Sequence, residues 1–265
     1  MKELIIENEV YIRIVFFILT LVIVAFYEYK SPRKKLVLSK IRRWINNISL
    51  VILNSLLIKF IFPIAAFGIA IYLESKNFGI LYLFDLSYIE KIIISILLLD
   101  LIIYWQHRLF HKIDFFWKFH RVHHSDFDFD LTTGVRFHPI EIIFSMSIKI
   151  FFIVLLGTPA VAVIIFEIAL SSFAIFNHSN IHLPYNIDKI LRYFIITPDF
   201  HRIHHSIHTN ELKSNYGFSL SIWDRIFRSY TKKPKDGYEN MTIGLKEYRD
   251  QNKIVFILDL IKMPF

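Results

Sequence analysis

Histidine is the residue whose number and spacing most clearly indicate chemistry in this sequence. All twelve histidines lie within residues 107–208 of a chain of 265 residues. Random placement would confine them to such a segment with a probability on the order of 10^-5, so composition alone does not explain the clustering. Ten of them form four short sets, HRLFH at 107–111, HRVHH at 120–124, HSNIH at 178–182 and HRIHH at 201–205.

The spacing within these sets predicts a metal site. Residues three or four apart share one face of a helix, with Cβ atoms about 5–6 Å apart, so each set would present its rings together. One such pair is weak evidence, because a core histidine can simply bond a backbone carbonyl. Ten crowded imidazoles, however, would titrate near pH 6.5 and repel one another when charged, or need ten neutral partners. Metal binding removes this problem, since neutral ring nitrogens become ligands.

The number of imidazoles favours two ions. A zinc or iron ion takes about four to six ligands, so ten histidines exceed what one ion uses and allow about five for each of two. The chain has no cysteine, which excludes disulfides, iron–sulfur clusters and thiolate sites. Nitrogen and oxygen remain as donor atoms. Imidazole suits zinc, copper, iron and nickel alike, so the residues by themselves leave the identity of the metal open.

The order of the sets resembles that of a known family. HRLFH, HRVHH and HRIHH, following apolar segments, are similar to the HX3H, HX2HH and HX2HH boxes of the membrane fatty acid hydroxylase/sterol desaturase superfamily. The resemblance extends through DLTTGVRFHPIE (130–141), NHSNIH (177–182), TPDFHRIHH (197–205) and NYGFSLSIWDRIF (215–227), and covers roughly residues 95–230. It implies a non-haem di-iron centre that uses O2 and two electrons to hydroxylate or desaturate a fatty acyl or sterol-like lipid.

Matched box by box, the resemblance implies eight iron ligands in the three boxes and two more between the second and the third. These ten residues are His107, His111, His120, His123, His124, His178, His182, His201, His204 and His205. Two iron ions are the expected cofactor, and zinc is an expected substitute in a purified sample.

Four other residues are candidates for supporting roles. His138 and His208 fall outside the boxes and are expected to support or line the site, or to join the ligands. Asp100 precedes His107 by seven residues, on nearly the same helix face but roughly 10 Å away along the axis, so it would orient a ring of another helix or bond a neighbouring span. Asn177 is expected to be a helix cap rather than a water-mediated ligand.

Charged residues interleave with the histidines. An arginine follows the first histidine of each of three boxes, and the three acids of the DFDFD run are candidate partners; these residues are Arg108, Arg121, Arg202, Asp126, Asp128 and Asp130. A structural salt bridge is expected in the run Trp223-Asp224-Arg225.

The rest of the sequence predicts the membrane helices that would position this site. Hydrophobic residues make up 54% of the chain, charged residues only 20%, and the mean hydropathy is +0.44, a balance that no ordinary soluble domain needs. Since a bilayer core requires about 20 apolar residues per helical crossing, we expect spans at about 10–27, 44–73, 89–105, 140–156 and 160–176. The last two would form a helical hairpin across Gly157-Thr158-Pro159, and the first would be a retained anchor.

These elements predict an all-α, multi-span transmembrane protein with a cytoplasmic, histidine-rich helical cap. One integral membrane domain over 1–265 would comprise N-terminal spans in 1–106, the histidine-box region in 107–230 with the hairpin at 140–176, and a C-terminal tail in 231–265. Residues 28–43 hold seven Lys and Arg residues against one acid, which by the positive-inside rule places this segment in the cytoplasm. The parity of the spans then puts 107–139 and 177–265 on the same face.

The expected partners are a lipid substrate, O2, the membrane and an external electron-donor protein. Spans and a basic loop occupy the chain before residue 107, so a haem or flavin domain does not fit there. Nucleic acid is disfavoured because no base-reading motif accompanies the basic segment.

Oxidative cleavage of an alkyl-ether lipid at the same site remains open. So does a histidine-lined metal transporter, although a transporter would place its histidines along the spans. A b-type cytochrome is a third alternative, but it would need only two axial histidines per haem, and ten histidines in four sets are too many for that.

Overall fold

The computed structural model describes residues 2–250 and 256–265. The α-helices of these residues, in chain order, are α1 (Lys2–Glu7), α2 (Glu9–Lys30), α3 (Lys40–Ile61), α4 (Ala65–Ser75), α5 (Tyr88–Lys112), α6 (Asp114–His124), α7 (Pro139–Leu156), α8 (Ala160–Asn177), α9 (Tyr185–Leu191), α10 (Pro198–His204), α11 (Thr209–Leu212), α12 (Ile222–Ile226), α13 (Gly237–Asn240) and α14 (Ile257–Lys262). Two short 3₁₀ helices, Ile80–Leu83 and Thr133–Val135, and three isolated β-bridges occur between them, and no strand is present in the described ranges. The all-α class is confirmed.

Four segments of the described chain are long and apolar enough to cross a membrane. They are Glu9–Lys30 (α2), Lys40–Leu83 (α3, α4 and the turn after them), Pro139–Leu156 (α7) and Ala160–Asn177 (α8). Only 6% of the apolar window of α2 is buried inside the protein. Its aliphatic and aromatic side chains therefore face outward, where lipid rather than water must cover them. The chain is an integral membrane protein.

The expected third span, residues 89–105, lies in α5, which is not among these four segments. Ser87 and Glu90 form a capping box that begins α5, and Asp100 is buried halfway along it. A membrane crossing by α5 stays a prediction, and so does the cytoplasmic orientation that was argued from the parity of the spans. The long second stretch is interrupted after α3, where Pro63 cannot continue the helical hydrogen bonds.

The predicted helix–turn–helix is present as α7 and α8. Gly157 ends α7 in the left-handed conformation with φ 69°, which a glycine adopts without strain. The backbone of Gly79 presses against this turn, because a Cβ atom at Gly79 would lie 2.2 Å from the nitrogen of Gly157. Helices α4 and α5 each pack against both arms of the pair, with Leu99 and Ile103 of α5 in the shared apolar core. Helices α4 and α5 thereby fix the positions of the two arms.

The basic segment 28–43, which runs into the first turn of α3, holds the region between α6 and α7 in place. Arg43 is fully buried and donates two hydrogen bonds to Asp126, of 3.0 and 2.7 Å, and a third to Asp130. Asp128 accepts from the backbone nitrogens of Val37 and Leu38. These acids were expected to pair with the arginines of the histidine boxes, and that expectation was wrong, because α3 packs against this region and brings its own arginine to them.

The box arginines have other partners. Arg108 donates to the hydroxyl of Tyr104, and Arg121 donates to the carbonyl of Met263. Arg202 lies near Asp199 and over the ring of Phe129, 4.6 Å from its centroid. The contacts of Arg121 with Met263 and of Arg202 with Phe129 join histidine-bearing helices to other parts of the fold, whereas Tyr104 and Asp199 lie on the same helices as their arginines.

Candidate metal centre

The histidine side chains converge in two groups that are suited to holding metal ions. The five-histidine group consists of His107, His111, His120, His124 and His204. The four-histidine group consists of His123, His178, His201 and His205. Within each group, one ring nitrogen per residue lies within 4.8 Å of the others, and all nine residues are buried.

Helix geometry explains why these rings point to common places. His107 and His111 lie one turn apart at the end of α5, and α6 begins immediately after α5 ends. His201 and His204 lie on α10, which Thr197 caps by accepting a hydrogen bond from the backbone nitrogen of Phe200. His178 and His205 follow directly after the last residues of α8 and α10. Four helix ends therefore meet around the rings.

Backbone carbonyls fix which nitrogen of several rings faces inward. His107 Nδ1 lies 2.8 Å from the carbonyl oxygen of Tyr216, and His204 Nδ1 lies 2.7 Å from that of Ser214. A carbonyl can only accept, so Nδ1 carries the proton in both rings and Nε2 carries the lone pair. His178 is fixed in the same way by the carbonyl of Ala174, at 2.9 Å.

The inward nitrogens lie too close together to coexist without a cation. His107 Nε2 and His204 Nε2 are 3.0 Å apart, and in the neutral rings neither has a proton to share. Two lone pairs at this distance repel each other. A metal ion that accepts both lone pairs turns this repulsion into ligation, so the geometry fits a bound cation. Other inward pairs are similarly close, including His120 with His124 at 3.1 Å and His178 with His123 at 3.0 Å.

Burial keeps these rings neutral, as ligands must be. Desolvation disfavours the charged imidazolium and lowers the pKa of His120 and of His178 to about 3. The pKa of His204 is held well below its usual value by burial and then by the neighbouring His107 and His120. At neutral pH the lone pairs of all three rings are therefore available.

Several buried ring nitrogens have no hydrogen-bond partner in the described part of the chain. They are His111 Nε2, His123 Nδ1, His124 Nδ1, His201 Nδ1 and both nitrogens of His205. An unpaired buried polar atom costs about 1–3 kcal/mol. A bound ion would take up His111 Nε2 and one nitrogen of His205. The Nδ1 atoms of the other three rings lie opposite their inward Nε2 atoms, so retained water would have to satisfy them.

The two groups are adjacent. The ring of His124, from the five-histidine group, stacks on that of His205, from the four-histidine group, with centroids 4.3 Å apart. His123 and His124 are consecutive residues that point into different groups. Two ions held in this way would be neighbours and could act on the same substrate atom.

A cavity of about 340 Å³ lies beside the rings, between α7 and α8. His107, His120, His123, His178 and His201 form part of its wall. Most of the remaining wall is apolar, from Ile103, Phe110, Phe137, Ile142, Met146, Leu170 and Phe218. A lipid chain that entered between these helices would reach the edge of the histidine groups.

The other end of this cavity is charged. Glu167 of α8 pairs with Lys149 of α7 and with Arg13 of α2, the latter at 3.0 Å. Lys149 lies eight residues beyond Glu141 on α7, or about 12 Å along the helix axis. Charges inside apolar spans are stable when they pair with one another, as these do.

Comparison with known proteins identifies the family of this chain. A model described as fatty acid hydroxylase matches residues 92–229, just over half of the 265 residues. The chain belongs to the fatty acid hydroxylase family. The matched segment contains all nine histidines of the two groups as well as α7 and α8, so the family resemblance that the histidine boxes suggested is confirmed.

Curated relatives in this family are named as lipid-modifying enzymes. The chain is 27% identical over 146 residues to the ornithine lipid hydroxylase OlsE of Rhizobium tropici, covering 55% of this chain and 43% of the relative. It is 32% identical over 136 residues to the alkylglycerol monooxygenase of Xenopus tropicalis, covering 48% and 27%. The very-long-chain aldehyde decarbonylase GL1-4 of Oryza sativa subsp. japonica is 27% identical over 160 residues, covering 57% and 25%. The chain thus matches less than half the length of these relatives. No solved structure matches it.

The structure brings nine of the ten expected ligands together and leaves His182 apart. His182 is exposed, and its backbone nitrogen donates to the carbonyl of Ser31 at 2.8 Å. The expectation that it shares a face with His178 assumed a continuous helix. Helix α8 ends at Asn177, so the four residues that follow His178 are not helical and carry His182 away.

The two histidines outside the boxes, His138 and His208, form hydrogen bonds away from the two histidine groups. His138 caps α7, accepting from the backbone nitrogen of Ile140 at 3.1 Å, and its Nε2 lies 3.1 Å from the carbonyl of Ile261. His208 pairs with Asp236 at 2.6 Å on the surface. Neither ring joins the two groups.

Asp100 and Asn177 bond the loop around residues 218–223 rather than a ring. Asp100 accepts from the indole nitrogen of Trp223 at 2.8 Å and from the backbone nitrogen of Leu220 at 3.2 Å. Asn177 donates to the carbonyl of Phe218 at 2.9 Å, and it is the last residue of α8 rather than its cap. Both residues hold this loop against the helices that bear the histidines.

Three residues that support the rings were not identified from the sequence. Glu141 lies 2.6 Å from Nδ1 of His120, and carboxylate oxygens hold imidazoles in this way beside metals. Asp224 accepts from the backbone nitrogens of Tyr216 and Gly217 instead of forming the expected salt bridge, and it thereby fixes the carbonyl that holds His107. The sequence did contain a signal for Glu141. This residue ends the segment 130–141 that resembles the family, and it follows His138 by three residues.

Gly134 is the third of these residues. A Cβ atom there would lie 2.0 Å from the carbonyl oxygen of Ala174, the oxygen that holds His178. Only a glycine lets the Thr133–Val135 turn approach α8 this closely. The sequence contained no signal for this contact, because it joins segments forty residues apart.

Substitution of Glu141 should weaken metal binding without unfolding the protein. We expect Glu141→Ala to lower metal affinity about 10–100-fold, because His120 loses the acceptor that orients it. Glu141→Gln should lose less, since its amide oxygen still accepts from Nδ1. A chelator competition titration of the purified protein measures both. Equal affinity in the wild type and in Glu141→Ala would show that this contact does not support a metal.

Proposed function

We propose that the protein is a membrane-bound, di-iron, O2-dependent oxygenase that hydroxylates or desaturates a lipid. The observation that carries this proposal is the convergence of nine buried imidazoles in two adjacent groups, five of which form part of the wall of a mostly apolar cavity between membrane-spanning helices. Membership of the fatty acid hydroxylase family and the names of its lipid-modifying relatives support it.

The protein's own residues supply binding, orientation and exclusion of water. The carbonyls of Tyr216, Ser214 and Ala174 hold Nδ1 protons, so that the Nε2 lone pairs face inward and are ready to bind the ions. Two bound iron ions would supply the oxygen and electron chemistry that no side chain here can perform. The apolar wall, with Ile103, Leu170 and Phe218, would hold a lipid chain beside them and keep bulk water out.

The balance of the proposed reaction requires a partner. Hydroxylation consumes one O2, two electrons and two protons, places one oxygen atom in a C–H bond and releases the other as water. The electrons are proposed to come from an external donor protein.

We place the histidine groups on the cytoplasmic side. The support for this placement is the basic segment 28–43, which packs against the same cap through the ion pairs of Arg33 with Asp199 and of Arg43 with Asp126.

Ether-lipid cleavage is a second candidate reaction at the same site. The chain is 30–32% identical to three vertebrate alkylglycerol monooxygenases over about half its length. Hydroxylation of the carbon beside an ether oxygen gives a hemiacetal, which breaks into an aldehyde and an alcohol. The same histidine groups would serve this reaction. The metal transporter is disfavoured, because the rings form two compact groups at helix ends instead of following a path along the spans.

The test is product analysis with defined lipids. Purified protein loaded with two equivalents of iron would be supplied with reductant, O2 and either a diacyl or an alkyl-ether lipid. A hydroxylated chain, a new double bond or a released aldehyde separates the candidate reactions, and 18O2 shows whether the inserted oxygen comes from O2. Full iron loading without a product from either lipid class would count against the proposal.

Filling the cavity should block a long substrate while leaving the metals in place. Leu170 of α8 lines the cavity, and we expect Leu170→Trp to lower turnover of a long-chain lipid about tenfold or more, because the added ring occupies the space of the chain. Iron content should not change. Ile165→Trp, at a position of the same helix that is 42% exposed toward lipid, is the matched control. Equal turnover in both variants would place the substrate elsewhere.

A further inference from the structure

A second cavity lies where two membrane-spanning helices emerge from the apolar layer. Helix α2 ends at Lys30 and α8 ends at Asn177. Beyond these ends the two chain segments run side by side, with a β-bridge between Pro32 and Ile181 and a hydrogen bond of 2.8 Å from the nitrogen of His182 to the carbonyl of Ser31. The cavity beside them, about 260 Å³, therefore lies at the level of the lipid head groups.

This head-group-level cavity is strongly basic. Six arginines and lysines line it against two acids, a surplus of four positive charges; the basic residues are Arg33, Lys189, Arg192, Arg225, Lys232 and Lys233, and the acids are Asp188 and Asp199. They come from three distant parts of the sequence, namely the segment after α2, helix α9 with the residue that follows it, and residues 225–233 in and after α12. Their convergence is a product of the fold and not of one basic run.

The surplus is concentrated on four side chains. Arg33 pairs with Asp199, and Arg192 pairs with Asp188, which uses both acids. Arg225 donates to the carbonyl of Arg192 and lies over the ring of Tyr230, 4.3 Å from its centroid, so no carboxylate neutralises it among the described residues. Lys189, Lys232 and Lys233 are exposed and have no ion-pair partner in 2–250 and 256–265. These four charges are available to an anion.

An exposed apolar surface borders the cavity. Ile187 and Ile190 of α9 are 50% and 61% exposed, and Phe194, just beyond that helix, is 67% exposed. Tyr185 and Tyr193 lie beside them and also line the cavity. Exposed aliphatic and aromatic side chains next to basic ones are typical of a helix that lies in the membrane interface, with its apolar face among the upper parts of the acyl chains.

We propose that this cavity binds the phosphate of an anionic phospholipid, with the acyl chains of that lipid lying over the apolar surface of α9. The basic side chains match the charge of the phosphate, and the tyrosines offer hydroxyl groups at the same level. The exposed apolar residues distinguish this ligand from free phosphate, which would leave them in water, and from the acidic face of a soluble protein. The site is separate from the histidine groups and requires neither metal nor turnover.

Lipid binding to the purified full-length protein tests the proposal. Native mass spectrometry of the detergent-solubilised protein, titrated with phosphatidylglycerol or phosphatidylcholine, should show at least about tenfold tighter binding of phosphatidylglycerol. The triple variant Lys189→Gln/Lys232→Gln/Lys233→Gln should lose about fivefold in affinity per lysine, on the order of 100-fold in total. Changing Lys118, Lys213 and Lys246 to Gln removes the same charge outside the cavity and should leave the preference intact. Unchanged metal content in both triple variants verifies that they fold.

Three results would overturn the proposal. Equal binding of the two lipids by the wild type would remove the charge argument. Displacement of phosphatidylglycerol by millimolar inorganic phosphate alone would assign the cavity to a free anion. Loss of binding of an acidic redox protein in the cavity variant, with its lipid preference unchanged, would assign the cavity to a protein partner. None of these results depends on whether the protein oxidises a lipid, so failure here is distinguishable from failure of the proposed function.

Discussion

Replacement of His204 by alanine is expected to remove about one of two bound metal equivalents and to lower turnover by at least about 100-fold. His204 Nε2 lies 3.0 Å from His107 Nε2 and belongs to the five-histidine group. His201→Ala should instead deplete the four-histidine group, in which His201 Nε2 lies 3.1 Å from His178 Nε2. Each variant should therefore retain about one metal equivalent, and the double variant should retain none. Elemental analysis of the purified proteins measures this directly.

Two histidines provide matched controls for that experiment. His208 pairs with Asp236 on the surface, and His182 is exposed and outside both groups. We expect His208→Ala and His182→Ala to keep both metal equivalents. Loss of metal in His182→Ala would return that residue to the ligand set. If His204→Ala and His201→Ala both kept two equivalents, the convergence of the rings would not reflect metal binding and the oxygenase proposal would fail.

Replacement of Arg43 by methionine is expected to destabilise the fold by about 3–5 kcal/mol, because it leaves buried acids without their positive partner. Arg43 is fully buried, and Asp126 and Asp130 are 1% and 0% exposed. At about 2–4 °C per kcal/mol for a chain of this size, the midpoint of thermal unfolding should fall by about 6–20 °C. Thermal unfolding in detergent, followed by circular dichroism, measures the change.

Arg42 is the control for this substitution. It is the preceding residue, it is exposed, and its guanidinium lies over the ring of Phe256, 5.7 Å from the centroid. Arg42→Met removes the same charge and should change stability by no more than about 0.5 kcal/mol. Equal destabilisation by the two variants would mean that net charge, and not the buried contact with Asp126, stabilises this region.

The positions of the rings could be predicted where helix periodicity applied. One turn of helix brings His107 close to His111 and His201 close to His204, and their spacing in the sequence predicts this directly. The same rule failed at His182, because it requires a continuous helix and α8 ends before His178. The apolar periodicity likewise predicted α2, α7 and α8, although α5, which the sequence suggested as a span, is not among the apolar candidates of the described chain.

The sequence by itself determined the family, the all-helical membrane fold and the identity of the imidazole sets, since each depends on composition or on spacings of a few residues. Only the tertiary structure decided how the sets divide into two groups, and that the carbonyl of Tyr216 and the carboxylate of Glu141 hold individual rings. It also decided that Arg43 neutralises Asp126 across 83 residues. Such contacts arise when whole helices pack, and packing depends on the shapes of all the faces involved, which no local pattern records.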